Sequence, residues 1–319
     1  MNTSIAIQPL AQFWGIVRYE MLLQWRQRYW IVIVLPLCLA IVLGAFGTQN
    51  GSSFSRTVAV LPLNWETDPD LCLTGQCTSY TQIELVTATP AQLDFIHRQR
   101  VALSGLVAPL IFTAIHLIIL FLFTMLLADV IPKDRKYGIG ELFGVLPLPN
   151  GVYLAGKTAA SMLSTLLIMG IVGVFYGIVW WVIVYPFEVG NFVLTYGLGL
   201  LVTSTLTAGL SVLIFSGQPS RRRAIIFSFG WVIVLYVLMA VPFSQIGIVE
   251  YLNPSRPFSL GYYVGGVMRA VQPPNASPSV RINLTIHHGH LLLAGIIGLL
   301  EIVGLWAIVR TLWNRQETR

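Results

Sequence analysis

Six apolar stretches, each about as long as a bilayer core is thick, leave this chain few ways to fold. They run over about Tyr29–Phe46, Leu106–Leu127, Thr158–Tyr185, Phe192–Phe215, Ala224–Phe243 and Leu291–Val309. About 18 or more apolar residues in a row are enough to cross roughly 30 Å of hydrocarbon as a helix. In lipid the backbone must satisfy its own hydrogen bonds, so such stretches are expected as helices. The first carries Pro36, and the third is long enough to tilt. Only 10% of the 319 residues are charged, whereas a soluble domain carries about 25%. That leaves too few charges to solvate a globular surface. The expected fold is an all-α integral membrane protein of six transmembrane helices. An N-terminal interfacial helix and a small extracytoplasmic α/β insert complete it.

Lys and Arg set the expected orientation. With the N-terminus cytoplasmic, the inner side holds Arg18, Arg26, Arg28, Lys133, Arg135, Lys136, Lys157, Arg221, Arg222, Arg223, Arg310, Arg315 and Arg319. The outer side holds Arg56, Arg98, Arg100, Arg256, Arg269 and Arg281. This two-to-one bias puts both termini inside. The formal charge of +6 is spread over helix ends, which reads as membrane anchoring and not as nucleic-acid binding. The first stretch follows about 28 residues and lacks a small-residue cleavage site, so it reads as a retained helix and not as a signal peptide.

Residues 1–28 form the tail and the interfacial helix, and residues 29–319 the membrane domain. Leu10, Phe13, Trp14, Val17 and Met21 recur at helical spacing, which predicts an amphipathic helix in the cytoplasmic interface. Residues 47–105 form the first outer loop. In it Arg56–Leu61 and Gln82–Thr87 read as strands. Thr89-Pro-Ala-Gln92 opens a helix, with Thr89 as cap, Pro90 in the first turn and Gln92 closing a capping box. Cys72 and Cys77 lie in this loop, as a disulfide in an oxidising exterior or as two free thiols. Residues 244–290 form a second outer loop, with one or two short helices.

Several candidate sites weaken on inspection. Gly151-Val-Tyr-Leu-Ala-Gly-Lys-Thr158 matches the phosphate-loop pattern, but Pro147 and Pro149 precede it in place of a buried strand, and its interior is helical and apolar. Lys157 then reads as an anchor at the cytoplasmic headgroups. His287, His288 and His290 read as interfacial histidines, because neighbouring helix positions point apart and no acidic or thiol ligand is near. His116 and Glu301 fall near mid-membrane. They face a cavity or partner helix, or sit neutral against backbone carbonyls. Gly173–Gly177 and Thr203–Gly209 supply small residues for close helix packing. Paired catalytic carboxylates and a Ser-His-Asp set are not visible.

Residues 129–157 form the cytoplasmic segment between the second and third apolar stretches. It contains Asp134-Arg135-Lys136, Gly138-Ile139, Glu141-Leu142-Phe143, Leu146-Pro147 and Gly156-Lys157. This order resembles the membrane subunits of ATP-binding-cassette exporters of the type-2 permease family. There an acidic–Arg–acidic triplet, Gly-Thr, Glu-Leu-Leu, Thr-Pro and Gly-Lys follow one another; this chain departs at Lys136, Ile139 and Leu146. The resemblance also covers the amphipathic helix, the outer loop and Leu252-Asn-Pro254. It implies a multi-pass subunit of the plasma membrane, a bacterial inner membrane, with both termini cytoplasmic. It further implies pairing with a second permease half, as a homo- or heterodimer, and with separate ATPase subunits that carry ATP and Mg. The chain itself then has no ATPase site and needs no cofactor or metal. The residues implied in ATPase coupling are Asp134, Arg135, Gly138, Glu141, Leu142, Phe143, Leu146 and Pro147. The competing class is a stand-alone secondary transporter, scaffold or sensor. The spans lack the charged pairs and broken helices that ion coupling needs.

Overall fold

A computed structural model describes residues 4–26, 28–49, 58–62, 66, 80–98, 100, 122–138, 149–184, 189–240 and 288–317. The described residues are mainly helical. In order it forms α1 (Ser4–Arg26), α2 (Tyr29–Gln49), β1 (Val58–Pro62) and β2 (Tyr80–Glu84). Two further helices, α3 and α4, cover residues 90–98 and 122–127. Then come α5 (Val130–Lys136), α6 (Asn150–Ile183), α7 (Val189–Thr195), α8 (Val202–Phe215), α9 (Arg221–Ala240) and α10 (His288–Glu317). A π-helical stretch, Tyr196–Leu201, joins α7 to α8 without a break.

Among the described residues two helices are long and apolar enough to cross a membrane, Trp30–Gly47 and Asn150–Ile183, and Ser204–Phe215 is a shorter apolar helix. The expected second stretch lies mostly outside the described residues, as do the expected helices of residues 244–287.

α6 is the axis of the molecule: α1, α2, α8 and α10 all pack on it. Its 34 residues extend about 51 Å, well beyond a hydrocarbon core. Pro149 stops any earlier start. It is extended (φ −64°, ψ 131°), and its carbonyl accepts the first helical bond from Val152. The phosphate-loop look-alike Gly151–Thr158 therefore forms the first turns of a helix. Its glycines serve packing. A Cβ on Gly151 would lie 3.0 Å from Nε of Arg310, and one on Gly156 would lie 2.8 Å from Cγ2 of Ile16.

α2 is apolar all round, yet it buries a single stripe, Ile33, Leu37, Ile41 and Ala45, and leaves Val32, Leu35, Leu39 and Leu43 open. That pattern fits a helix with protein on one side and lipid on the other. Farther along α6, Gly173 lets Tyr196 lie against the backbone. A Cβ there would come 2.3 Å from the ring, and the Tyr196 hydroxyl donates to the Met169 carbonyl at 2.6 Å. Tyr176, Trp180, Phe192 and Tyr196 form one aromatic plug with ring centroids 5.2 to 6.5 Å apart. Gly209 does the same for α8, where a Cβ would meet Met162 at 2.8 Å and Ile302 at 3.1 Å. The small residues of both stretches are thus spent on close packing, as the spacing predicts.

β1 and β2 pair antiparallel, Val58 opposite Glu84 and Pro62 opposite Tyr80. Ala59 and Leu61 pack with Phe95 and Ile96 of α3. The Thr89 capping box forms as read: the Thr89 N–H donates to Gln92 Oε1 at 2.9 Å, and the Gln92 N–H donates to Thr89 Oγ1 at 3.4 Å. The second strand ends earlier than the sequence suggests. Residues 85–87 turn, with the Thr87 N–H donating to the Glu84 carbonyl at 3.1 Å, and residues 56–57 of the expected first strand lie outside the described residues. Cys72 and Cys77 lie outside the described residues.

Candidate functional site

The close approach of α1 to α6 at Gly156 brings two buried charges together. α1 turns Val17 and Glu20 inward. Glu20 meets Lys157 of α6 through its Oε2, where the ammonium donates. From the other side α5 delivers Asp134, whose Oδ2 lies 2.6 Å from Lys157 Nζ. The Tyr153 hydroxyl, one turn earlier on α6, donates to the same oxygen at 2.5 Å. Gln24 completes the group, its amide donating to Glu20 Oε1 at 3.4 Å and to Ser161 Oγ at 3.2 Å. Glu20, Asp134 and Lys157 are each 4% exposed or less. Charges this deep survive only when paired and hydrogen-bonded. Here one cation serves two carboxylates from two different elements, so losing the cation would strand both acids, whereas losing either acid would leave a one-to-one pair.

A second tie lies close by. Asp129, in the turn between α4 and α5, pairs with Arg221 at the start of α9, 2.8 Å apart. Burial pushes the Asp129 carboxyl above the ordinary carboxylate range, while Arg221 and then Lys133 pull it back. Ala128, Phe215 and Ala224 pack beneath this tie. Residues 122–138 are therefore fastened twice, to α9 through Asp129 and to α6 and α1 through Asp134.

A cavity of about 70 Å³ adjoins the trio. Glu20, Asp129, Lys133 and Asp134 line its polar end, and Trp25, Trp30, Ile33 and Phe123 its apolar walls. It has room for a few water molecules. Among the described residues no group of three His, Cys, Asp or Glu is placed to hold a metal. The arrangement is suited to holding elements together under load.

One sequence-based expectation needs correction. Lys157 does not sit at headgroups. It is buried, because Gly156 admits α1 and brings Glu20 over it. Asp134, one of the residues that the resemblance implies in ATPase coupling, is buried against its own chain. Its complementary charge is Lys157 of its own chain, and the pair is sealed by α1 and α6. Neither pairing has a local signature, since Glu20 and Lys157 stand 137 residues apart. The available signal was Glu20 itself, a lone acid on the same helix face as Phe13, Val17 and Gln24.

Of the other expected residues, Arg135 lies in α5 and Gly138 ends its turn with φ 69°, a left-handed conformation that glycine adopts without strain. Glu141, Leu142, Phe143, Leu146 and Pro147 lie outside the described residues, as do His116 and His287. His288 opens α10. Glu301 is partly buried on α10, next to the Ile302 that packs on Gly209. No protein-family model matches this sequence, and no curated protein matches it either.

Proposed function

We propose that this chain is the membrane permease subunit of an ATP-binding-cassette exporter, driven by separate ATPase subunits that dock on residues 134–149. The observation that carries the reading is the double fastening of Asp134. The acid that opens the family-like motif run is bound through Lys157 to both α6 and α1. A docking segment that moves a bundle must be anchored to it more firmly than to its partner. A buried ion trio does this, since breaking such a pair costs about 3–5 kcal/mol. In this reading both termini are cytoplasmic, six helices span the membrane and residues 47–105 lie outside. A second permease half completes the pathway, and ATP and Mg reside on the ATPase. Domain motion driven by ATP switches the paired bundle between inward and outward access.

Division of labour within the segment follows. In this proposal Arg135, Glu141, Leu142, Phe143 and Leu146 are the residues that engage the ATPase, and Asp134 ties the segment to the bundle. The test is ATPase co-purification in mild detergent, together with hydrolysis by the complex. Phe143→Ala and Glu141→Lys should each lower ATPase retention by about thirtyfold or more, the loss expected for an interface anchor. Asp134→Asn should retain the ATPase and lose the link between hydrolysis and transport. Wild type that retains no ATPase overturns the reading. Single cysteines at Ser53 and Ser277 should label from outside in intact cells, and labelling only after lysis overturns the orientation.

A further inference from the structure

We infer that the outer face of α1 is a docking surface for anionic phospholipid headgroups. The inference rests on the membrane location in the proposed function and not on the ATPase partner.

α1 has two unlike faces. The inner one, with Ile16, Val17, Glu20 and Gln24, is given to α6 and the ion trio. The outer one carries Trp14, Tyr19, Leu22 and Trp25, all at least half exposed. Arg18 and Arg26 are exposed on the same side, and Arg28 follows immediately. At helical spacing Arg18 lies one turn from both Trp14 and Leu22, so cation and rings share one strip. The only acid of α1 is Glu20, which is turned inward onto Lys157. The outer face is therefore cationic and aromatic with nothing negative on it. Among the described residues none of the three arginines meets a carboxylate.

The position of the helix selects the occupant. α1 ends where the apolar span Trp30–Gly47 is about to begin, and the two are locked at a corner. Arg28 there is left-handed at φ 56°, its N–H donates to the Trp25 carbonyl at 3.2 Å, and the Ile31 N–H donates to the Arg28 carbonyl at 3.0 Å. Across the corner Trp25 and Trp30 stack at 5.1 Å. A helix tethered this closely to the end of a span lies at headgroup depth, where indole rings settle and arginines meet phosphate. Each basic residue at such a surface is worth about fivefold in partitioning toward anionic lipid. A zwitterionic bilayer would use the rings and leave the arginines without that gain.

The test uses the full chain in nanodiscs of equal parts phosphatidylglycerol and phosphatidylcholine. One or the other lipid is brominated near the headgroup end of its acyl chains. The quenching of Trp14 is read as the difference between wild type and Trp14→Phe, and that of Trp181, which is exposed on α6, as the difference from Trp181→Phe. Brominated phosphatidylglycerol should quench Trp14 about threefold more than brominated phosphatidylcholine. R18Q/R26Q/R28Q should bring the two to parity, and Arg18→Gln alone, remote from the corner, should fall between. Trp181 should show no preference. Parity in wild type overturns the inference, as does a preference that survives in the triple variant. Trp14 quenched by neither lipid while Trp181 is quenched by both overturns it and leaves the membrane location standing. Trp181 quenched by neither removes the membrane location itself.

Discussion

α6 is held at its two ends by opposite chemistries. Near Asn150 it is gripped by ions, with Lys157 between Glu20 and Asp134 and Tyr153 beside them. Near Ile183 it is gripped by shape, with Tyr196 and Phe192 stacked into the glycines at 173 and 177. Aromatic packing against a backbone is short-ranged and insensitive to charge, so it fixes a distance. An ion trio fixes a distance only while all three charges are present and dry. The first kind of joint depends on shape alone, and the second on charge.

The largest effect should come from removing the shared cation. Lys157→Met strands two buried carboxylates and should cost about 3–5 kcal/mol in an SDS-titration unfolding assay. Replacing Glu20, Asp134 and Lys157 together by apolar residues of similar size should restore most of it. A Lys157→Met variant that unfolds like wild type would show that the trio bears no load. At the other end, Gly173→Ala sets a methyl against the Tyr196 ring and should cost about 1–3 kcal/mol in the same assay. Adding Tyr196→Leu should relieve it, while Tyr196→Phe should not, because the ring remains. Tyr196→Phe alone removes the hydrogen bond to the Met169 carbonyl and should cost about 0.6–1 kcal/mol. If it costs more than Gly173→Ala, that end is held by polarity and the contrast with the ionic end collapses.

The smallest effect should be a pH dependence confined to the ionic end. Burial raises the folded-state carboxyl of Asp129, and Arg221 only partly offsets it. A raised acid binds its proton more tightly folded than unfolded. Its contribution is therefore fully present below the ordinary value of about 4 and is lost as pH rises through the raised one. Asp129→Asn should flatten that part of the stability profile, whereas Gly173→Ala should leave its shape unchanged. A profile identical in Asp129→Asn and wild type would place the titrating group elsewhere.

What could be read from the sequence was what is local. The Thr89 capping box spans four residues and forms as expected, because each partner is fixed by the turn it closes. The glycine spacing at 173 and 177 announced a close approach without saying which ring would fill it. The reading of Lys157 failed because a helix-end lysine beside an apolar stretch normally meets headgroups. Only the packing of α1 over Gly156 makes that position an interior. The burial of Asp134 had no local signal for the same reason. The π-helical stretch at Tyr196–Leu201 lies inside the apolar stretch Phe192–Phe215, whose length and composition do not distinguish a π turn from an α turn.

The left-handed Arg28 corner has a geometric consequence. α1 and the α2 span behave as the two arms of a bent lever, joined at a pivot that Trp25 and Trp30 stiffen. Eight residues separate Glu20 from the pivot, about 12 Å of helix rise, so turning the arm by about ten degrees displaces the Glu20 carboxylate by about 2 Å. That is the difference between a hydrogen-bonded ion pair and a parted one. The far end of the arm would sweep about three times as far. A modest tilt of the first span, whether imposed by a partner or by bilayer thickness, would thereby bear directly on the Glu20–Lys157 contact.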